Sequence, residues 1–142
     1  MKKLKAVLLD DDPFIHEIIE DLMRGSSLVE IVGWFSCPKK FLMAGIESKY
    51  DLYVLDIVMP HVNGFMIAER LKSRPFIFIT EVSVMLQDAI ELGPVDIVMK
   101  PIRKERLDSA FEKAYKLQGK SNQDLQKKSN CFMLQELKGK LK

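Results

Sequence analysis

Several apolar runs in this sequence end on polar residues whose types suit the handling of a phosphoryl group. Ala6-Val7-Leu8-Leu9 stops at Asp10-Asp11-Asp12, and Leu52-Tyr53-Val54-Leu55 stops at Asp56. Phe76-Ile77-Phe78-Ile79 stops at Thr80, and the run from Val95 to Met99, apolar except for Asp96, stops at Lys100. Carboxylates that converge repel one another and are costly to hold together unless a cation neutralises them. A hard divalent ion with oxygen ligands does so, and Mg²⁺ suits one or two carboxylates completed by water and a phosphate oxygen. A Lys can pair with a carboxylate or with a phosphoryl oxygen as a point charge. A Thr hydroxyl can donate to the same oxygen. A carboxylate nucleophile, a metal, a hydroxyl and a cation together make phosphoryl-transfer equipment, where catalysis is mostly positioning and charge neutralisation.

These groups meet only if the runs that carry them are strands of one sheet. Near-continuous apolar runs of this length suit strands buried on both faces, and Leu28 to Phe35 adds a further β-rich stretch. Helical patterns lie between them. Asp12 is a candidate N-cap, Pro13 suits the first helical position, and Ile15, Ile18, Ile19, Leu22 and Met23 form one stripe that stops at Gly25. Phe41, Leu42 and Ile46 suggest a second helix, and Phe65, Ile67, Ala68 and Leu71 a third. Met85, Leu86, Ala89, Ile90 and Leu92 suggest a fourth, ended by Gly93-Pro94, and Leu107, Ala110, Phe111 and Ala114 a fifth. Five strands alternating with five helices imply an α/β fold with a parallel sheet and helices on both faces. In such sheets ligands bind outside the carboxyl ends of the strands, where the strand order reverses. If the first and third strands flank that point, Asp10, Asp11 and Asp56 converge.

Composition narrows the class. At 142 residues, 47% hydrophobic and 30% charged, the chain suits one soluble globular domain with some tail and argues against disorder. A net charge of +2 is too small to imply a nucleic-acid surface. From Lys120 onward six Lys oppose Asp124 and Glu136, giving +4, so the remainder sums to −2 and the tail reads as a different piece. Cys37 and Cys131 form no CxxC pair, which points to a reducing compartment. No stretch approaches the roughly 18 apolar residues of a membrane span, and the first apolar run is too short for a signal peptide, so a cytoplasmic location is expected. His16 reads as a surface helix residue and His61 as a loop residue, neither with a partner at metal-binding spacing. Met23, Met66, Met85 and Met99 read as core fillers, and Trp34 as partly buried packing.

Four motifs in order carry a resemblance: Leu9-Asp10-Asp11-Asp12-Pro13, then Asp51 to Pro60 with Gly64, then Phe78-Ile79-Thr80, then Asp96 to Pro101. Over residues 4–118 the chain resembles the response-regulator receiver domains of two-component signalling. The resemblance implies a flavodoxin-like, doubly wound five-stranded parallel sheet in the order 2-1-3-4-5 with five helices. It implies that Asp56 is the phosphoacceptor and that Asp11 binds Mg²⁺ directly, with Asp10 doing so partly through water. The backbone carbonyl of Val58 would be a further metal ligand, and Thr80 and Lys100 would contact the phosphoryl group. The Lys100–Pro101 bond is expected to be cis. The phosphodonor would be a sensor histidine kinase, and a homodimer would form through the fourth helix, fifth strand and fifth helix. Chemistry would be limited to self-phosphorylation and autodephosphorylation, so the chain is not expected to be an enzyme on other substrates.

Two positions depart from the family pattern. Glu81 stands where a small residue usually follows the Thr, and is expected to point to solvent. Ile97 stands where an aromatic usually serves as a rotating switch, so a coupled aromatic swing is not available. These departures give weight to the alternative of a degenerate receiver acting as a phosphorylation-independent interaction module. A haloacid-dehalogenase-like phosphatase would need Thr or Val where Phe14 stands, and no G-x-G-x-x-G follows the first strand. Residues 1–118 are expected to be the receiver domain and residues 119–142 a linker or tail. Asn130 to Gln135 followed by Gly139-Lys140-Leu141 looks like the opening of a LytTR-type DNA-binding domain. Contact with DNA is expected only through such an output domain, and none with a membrane.

Overall fold

The computed structural model describes residues 2–44, 50–71, 74–81 and 85–117. Five strands and five helices alternate: β1 (Leu4–Leu9), α1 (Pro13–Met23), β2 (Val29–Phe35), α2 (Pro38–Met43), β3 (Leu52–Asp56), α3 (Gly64–Arg70), β4 (Phe76–Thr80), α4 (Leu86–Glu91), β5 (Asp96–Met99) and α5 (Lys104–Lys116). All neighbouring strands are parallel, in the order β2-β1-β3-β4-β5 expected from the sequence. Every residue of β3 and β4 is buried, because helices cover both faces of the central strands.

Strand side chains alternate between two cores. Val7, Leu9, Tyr53, Leu55 and Phe78 pack with Phe41 of α2, Ile67 of α3 and Leu86 of α4. Ala6, Leu8, Val54, Ile77 and Val98 pack with Ile19 and Met23 of α1 and Leu107 and Phe111 of α5. Burial at roughly 25 cal/mol per Å² of apolar surface on both faces is the main drive that holds this layered arrangement.

The helices start and stop where their residues dictate. The Asp12 side chain accepts from the Phe14 N–H at 2.9 Å and Pro13 occupies the first turn. Gly25 closes α1 at φ 77 and Gly93 follows α4 at φ 76, the left-handed region that favours glycine. Of the second-helix stripe, Phe41 and Leu42 lie in α2, while Ile46 falls outside the described residues.

β2 differs most from its sequence reading. It begins at Val29 and is an edge strand with mixed burial. Its register with β1 slips: Ala6 stands opposite Ile31 and Val7 opposite Gly33, leaving Val32 as the extra residue of a bulge, 41% exposed. The bulge allows Ile31 and Trp34, three apart, to pack against the same core. Among the described residues no helix is long and apolar enough to cross a membrane. The tail reading, with Cys131 and the suggested hairpin, lies outside the described residues.

Candidate functional site

β1 and β3 are neighbours, and the chain leaves the carboxyl end of β1 toward β2 but that of β3 toward β4, so the two connections diverge there. Ligands gather at such a point. Leu9 stands opposite Leu55, which sets Asp10 and Asp56, the next residues along, side by side on the rim. Asp10, Asp11 and Asp56 each offer a carboxylate oxygen, and these oxygens lie within 4.8 Å of one another. Asp10 is 3% exposed and Asp56 5%, whereas Asp11 is exposed.

Lys100, just beyond β5, reaches into this group. Its Nζ lies 3.0 Å from Asp10 Oδ2 and 3.6 Å from Asp56 Oδ1. Its backbone N–H donates to the Thr80 carbonyl at 2.8 Å, joining the ends of β4 and β5. Thr80 is fully buried at the end of β4, and the Ile79 carbonyl before it accepts from the Ile57 N–H at 3.3 Å, just past Asp56. The Lys100–Pro101 bond is cis, as expected.

One lysine does not balance three carboxylates. Burial, then the charge of Asp10, pushes Asp56 up to about 7 against the opposing pull of Lys100. Burial also raises Asp10, although the Asp12 N–H bonds its carboxylate at 2.9 Å and Lys100 stands beside it. Burial would lower Lys100, but the close approach of the Asp10 carboxylate and the charges of Asp56, Asp10 and Glu81 outweigh this and raise it. Asp10 Oδ2 is buried and makes no well-angled hydrogen bond; the Lys100 ammonium is close enough for an ion pair but badly aligned. An all-oxygen donor set, two nearly buried acids and a lone pair left over together fit a hard divalent cation such as Mg²⁺.

The β3–α3 loop continues the site. Val58 is 53% exposed, while Met59 beside it is buried and seats the loop in the core. Gly64 opens α3 and donates its N–H to the Ile57 carbonyl at 2.7 Å. A Cβ at Gly64 would overlap the Asp56 carbonyl oxygen, so this close approach requires glycine. His61 holds φ 68 in the same loop and, like His16, joins no metal-binding group among the described residues.

At the departures from pattern, Glu81 is exposed, as expected, yet its charge reaches Lys100. Ile97 is 1% exposed and packs in the core that contains Phe78 and Leu86. Asp96, read only as a polar interruption, proves to anchor a buried ion cluster. Arg106 grips it with two bonds of 2.7 and 2.6 Å, and Lys113 adds one of 3.0 Å. Arg106 and Lys113 lie seven apart on α5, a spacing that puts both on one face and was the available signal. Trp34 also exceeds its packing role, since its indole N–H donates to the Asp10 carbonyl at 3.2 Å. No local signal shows that contact, because it depends on the β2 register.

Comparison with known proteins bears on the family and the fold. The family model of the response regulator receiver domain matches residues 6–112. The chain is 30% identical over 140 residues to the sensory transduction protein LytT of Bacillus anthracis, covering 96% of this chain and 53% of LytT. It is 30% identical over 125 residues to the transcriptional regulatory protein BtsR of Salmonella typhi, covering 86% of this chain and 52% of BtsR. The chain thus spans about half the length of these curated relatives. Among solved structures, the receiver domain of the Francisella response regulator 1452 shares the fold with a TM-score of 0.66 at 21% identity, covering 80% of this chain and 98% of that one.

Proposed function

Because this chain belongs to the response regulator receiver domains of two-component signalling, we propose that it is a phosphorylation switch with Asp56 as its phosphoacceptor. The observation that carries the reading is the meeting of Asp10, Asp11 and Asp56 within 4.8 Å, with Lys100 Nζ 3.0 and 3.6 Å from two of them. Asp11, Asp10, Asp56 and the Val58 carbonyl would hold Mg²⁺, which when bound neutralises the carboxylates and the phosphoryl oxygens.

The reaction starts when an Asp56 carboxylate oxygen attacks the phosphorus of a phosphohistidine on a sensor histidine kinase. A P–O bond forms, the P–N bond breaks, and the departing imidazole takes up a proton. Lys100 follows the new charge, exchanging its place beside Asp56 for a phosphoryl oxygen. The Thr80 hydroxyl donates to another of these oxygens. Water later attacks phosphorus and returns Asp56 with release of inorganic phosphate. Drawing Thr80 and Lys100 inward pulls on the ends of β4 and β5, and this biases the face built from α4, β5 and α5. A homodimer through that face, and transcriptional output through an attached DNA-binding domain in the cytoplasm, complete the proposal. With Ile97 in the core, the change reaches the surface through backbone shifts and not through an aromatic swing.

The test is intact mass after incubation with acetyl phosphate and Mg²⁺. A phosphate-sized gain is expected that disappears in Asp56→Asn and with chelator. A chain that gains no phosphate under these conditions or from histidine kinases would refute the proposal.

A further inference from the structure

Asp10 is held through its backbone by the end of β2. Its N–H donates to the Phe35 carbonyl at 3.1 Å, and its carbonyl accepts from Trp34 Nε1 at 3.2 Å. That carbonyl belongs to the planar Asp10–Asp11 peptide, so the indole sets the plane from which the Asp11 side chain departs. The indole is clamped in turn. The His16 ring stacks on it with centroids 4.6 Å apart and planes within 3°, and His16 Nε2 lies 3.2 Å from Glu20 Oε1. The stack therefore ties β2 to α1 across the segment that joins β1 to α1, and that segment is Asp10-Asp11-Asp12. The bulge at Val32 makes this geometry available by bringing Trp34 opposite Leu8; without it, Gly33 would stand there.

We propose that Trp34 is a positioning residue for the divalent-cation site, with His16 as its clamp. Trp34 holds the Asp10–Asp11 peptide in the orientation that aims both carboxylates at Asp56. Cation binding and the state of the indole are then coupled. The proposal rests on the reading of Asp10, Asp11 and Asp56 as a Mg²⁺ site.

The full chain contains one Trp, so a ¹⁵N-labelled sample gives one indole N–H resonance. That resonance is expected to move during a Mg²⁺ titration, with the same midpoint that calorimetry gives for binding. Trp34→Phe keeps an aromatic ring for His16 to stack on and loses the donor along with part of the ring system. It is expected to bind Mg²⁺ roughly three- to tenfold more weakly, the scale of one positioning hydrogen bond. His16→Ala keeps the donor and loses the clamp, with an expected loss of about two- to threefold. If Trp34→Phe does not fold, the wild-type titration and His16→Ala decide. An indole resonance that stays still while calorimetry shows binding, or equal affinity of wild type and Trp34→Phe, overturns the inference alone. Absence of Mg²⁺ binding by the wild type overturns the cation-site reading and this inference with it.

Discussion

Replacing Asp56 with Asn should stabilise the metal-free protein, and should do so more strongly as pH rises. Asp56 is 5% exposed and its carboxyl is pushed from its ordinary 3.8 to about 7, by burial first and by the charge of Asp10 second. A folded-state value above the unfolded one means that ionising this group opposes folding. The penalty is absent below about pH 4, where both states are protonated, grows between about pH 4 and 7, and is complete above that. A rise of about three pH units at about 1.4 kcal/mol each sets an upper bound of about 4 kcal/mol. The attraction of Lys100 at 3.6 Å is already contained in that value; burying the Asn amide offsets part of the rest, so about 2 kcal/mol is the expected net gain at about pH 8. For a domain of this size that is a rise of about 8 °C in Tm. Paired urea or thermal melts of wild type and variant in chelator, across this pH range, measure it. Excess Mg²⁺ should stabilise the wild type more than the variant and close the gap. A variant no more stable than wild type at about pH 8 in chelator would refute the reasoning, as would a gap that fails to shrink toward about pH 4.

Asp96→Asn should cost about 3 kcal/mol in urea melts, because Arg106 and Lys113 would face a neutral amide in a largely buried place. Burial alone would raise Asp96, but the Arg106 bonds and charge, with Lys113, hold it below the ordinary range. Its contribution is therefore present above about pH 4 and lost as pH falls through the depressed value, so the wild-type advantage over Asp96→Asn should fade in acid. Gly64→Ala should cost about 2 kcal/mol in thermal melts, since its Cβ meets Asp56 backbone and not a yielding side chain. The same variant should take phosphate from acetyl phosphate more slowly by intact mass, because the Asp56 carbonyl must shift. Glu81→Ala should speed that reaction by roughly two- to fivefold at low salt, by removing an anion near Lys100 that repels an anionic donor. The gain should disappear at high salt; an unchanged rate would place the Glu81 charge outside the donor's approach.

The sequence shows the centre of the sheet far better than its edge. β3, β4 and the stretch of β1 from Ala6 to Leu9 are buried on both faces and so appear as apolar runs. Each ends on the rim, where the apolar run gives way to polar residues. That is why Asp10, Asp11, Asp56, Thr80 and Lys100 could be picked out before any distance was known. β2 has solvent along one side and a bulge inside it, so neither its facing nor its register follows from a run of residue types. The Trp34–Asp10 bond depends on that register, and a half-buried Trp offered only packing as an explanation. Asp96 escaped notice for a different reason. Its partners sit on a helix ten and seventeen residues further on, and long charged side chains on a helix look solvated until a buried carboxylate is found beneath them.

These two blind spots lie on opposite edges of the same sheet, and their physics differs. The Asp96 cluster is a buried pairing at the amino end of β5 that anchors α5 away from the rim. The Trp34 contact is one neutral hydrogen bond at the carboxyl end of β1, beside the three carboxylates and Lys100. A bond of that strength cannot hold three carboxylates together against their repulsion. It can select among the orientations that a cation leaves nearly equal in energy. On the proposed reading the edge strand tunes the geometry of the site, while Lys100 and a bound cation would supply the neutralising charge. Disabling Trp34 should shift metal affinity without abolishing it, whereas Asp56→Asn should take up no phosphate at all when intact mass is read after incubation with acetyl phosphate.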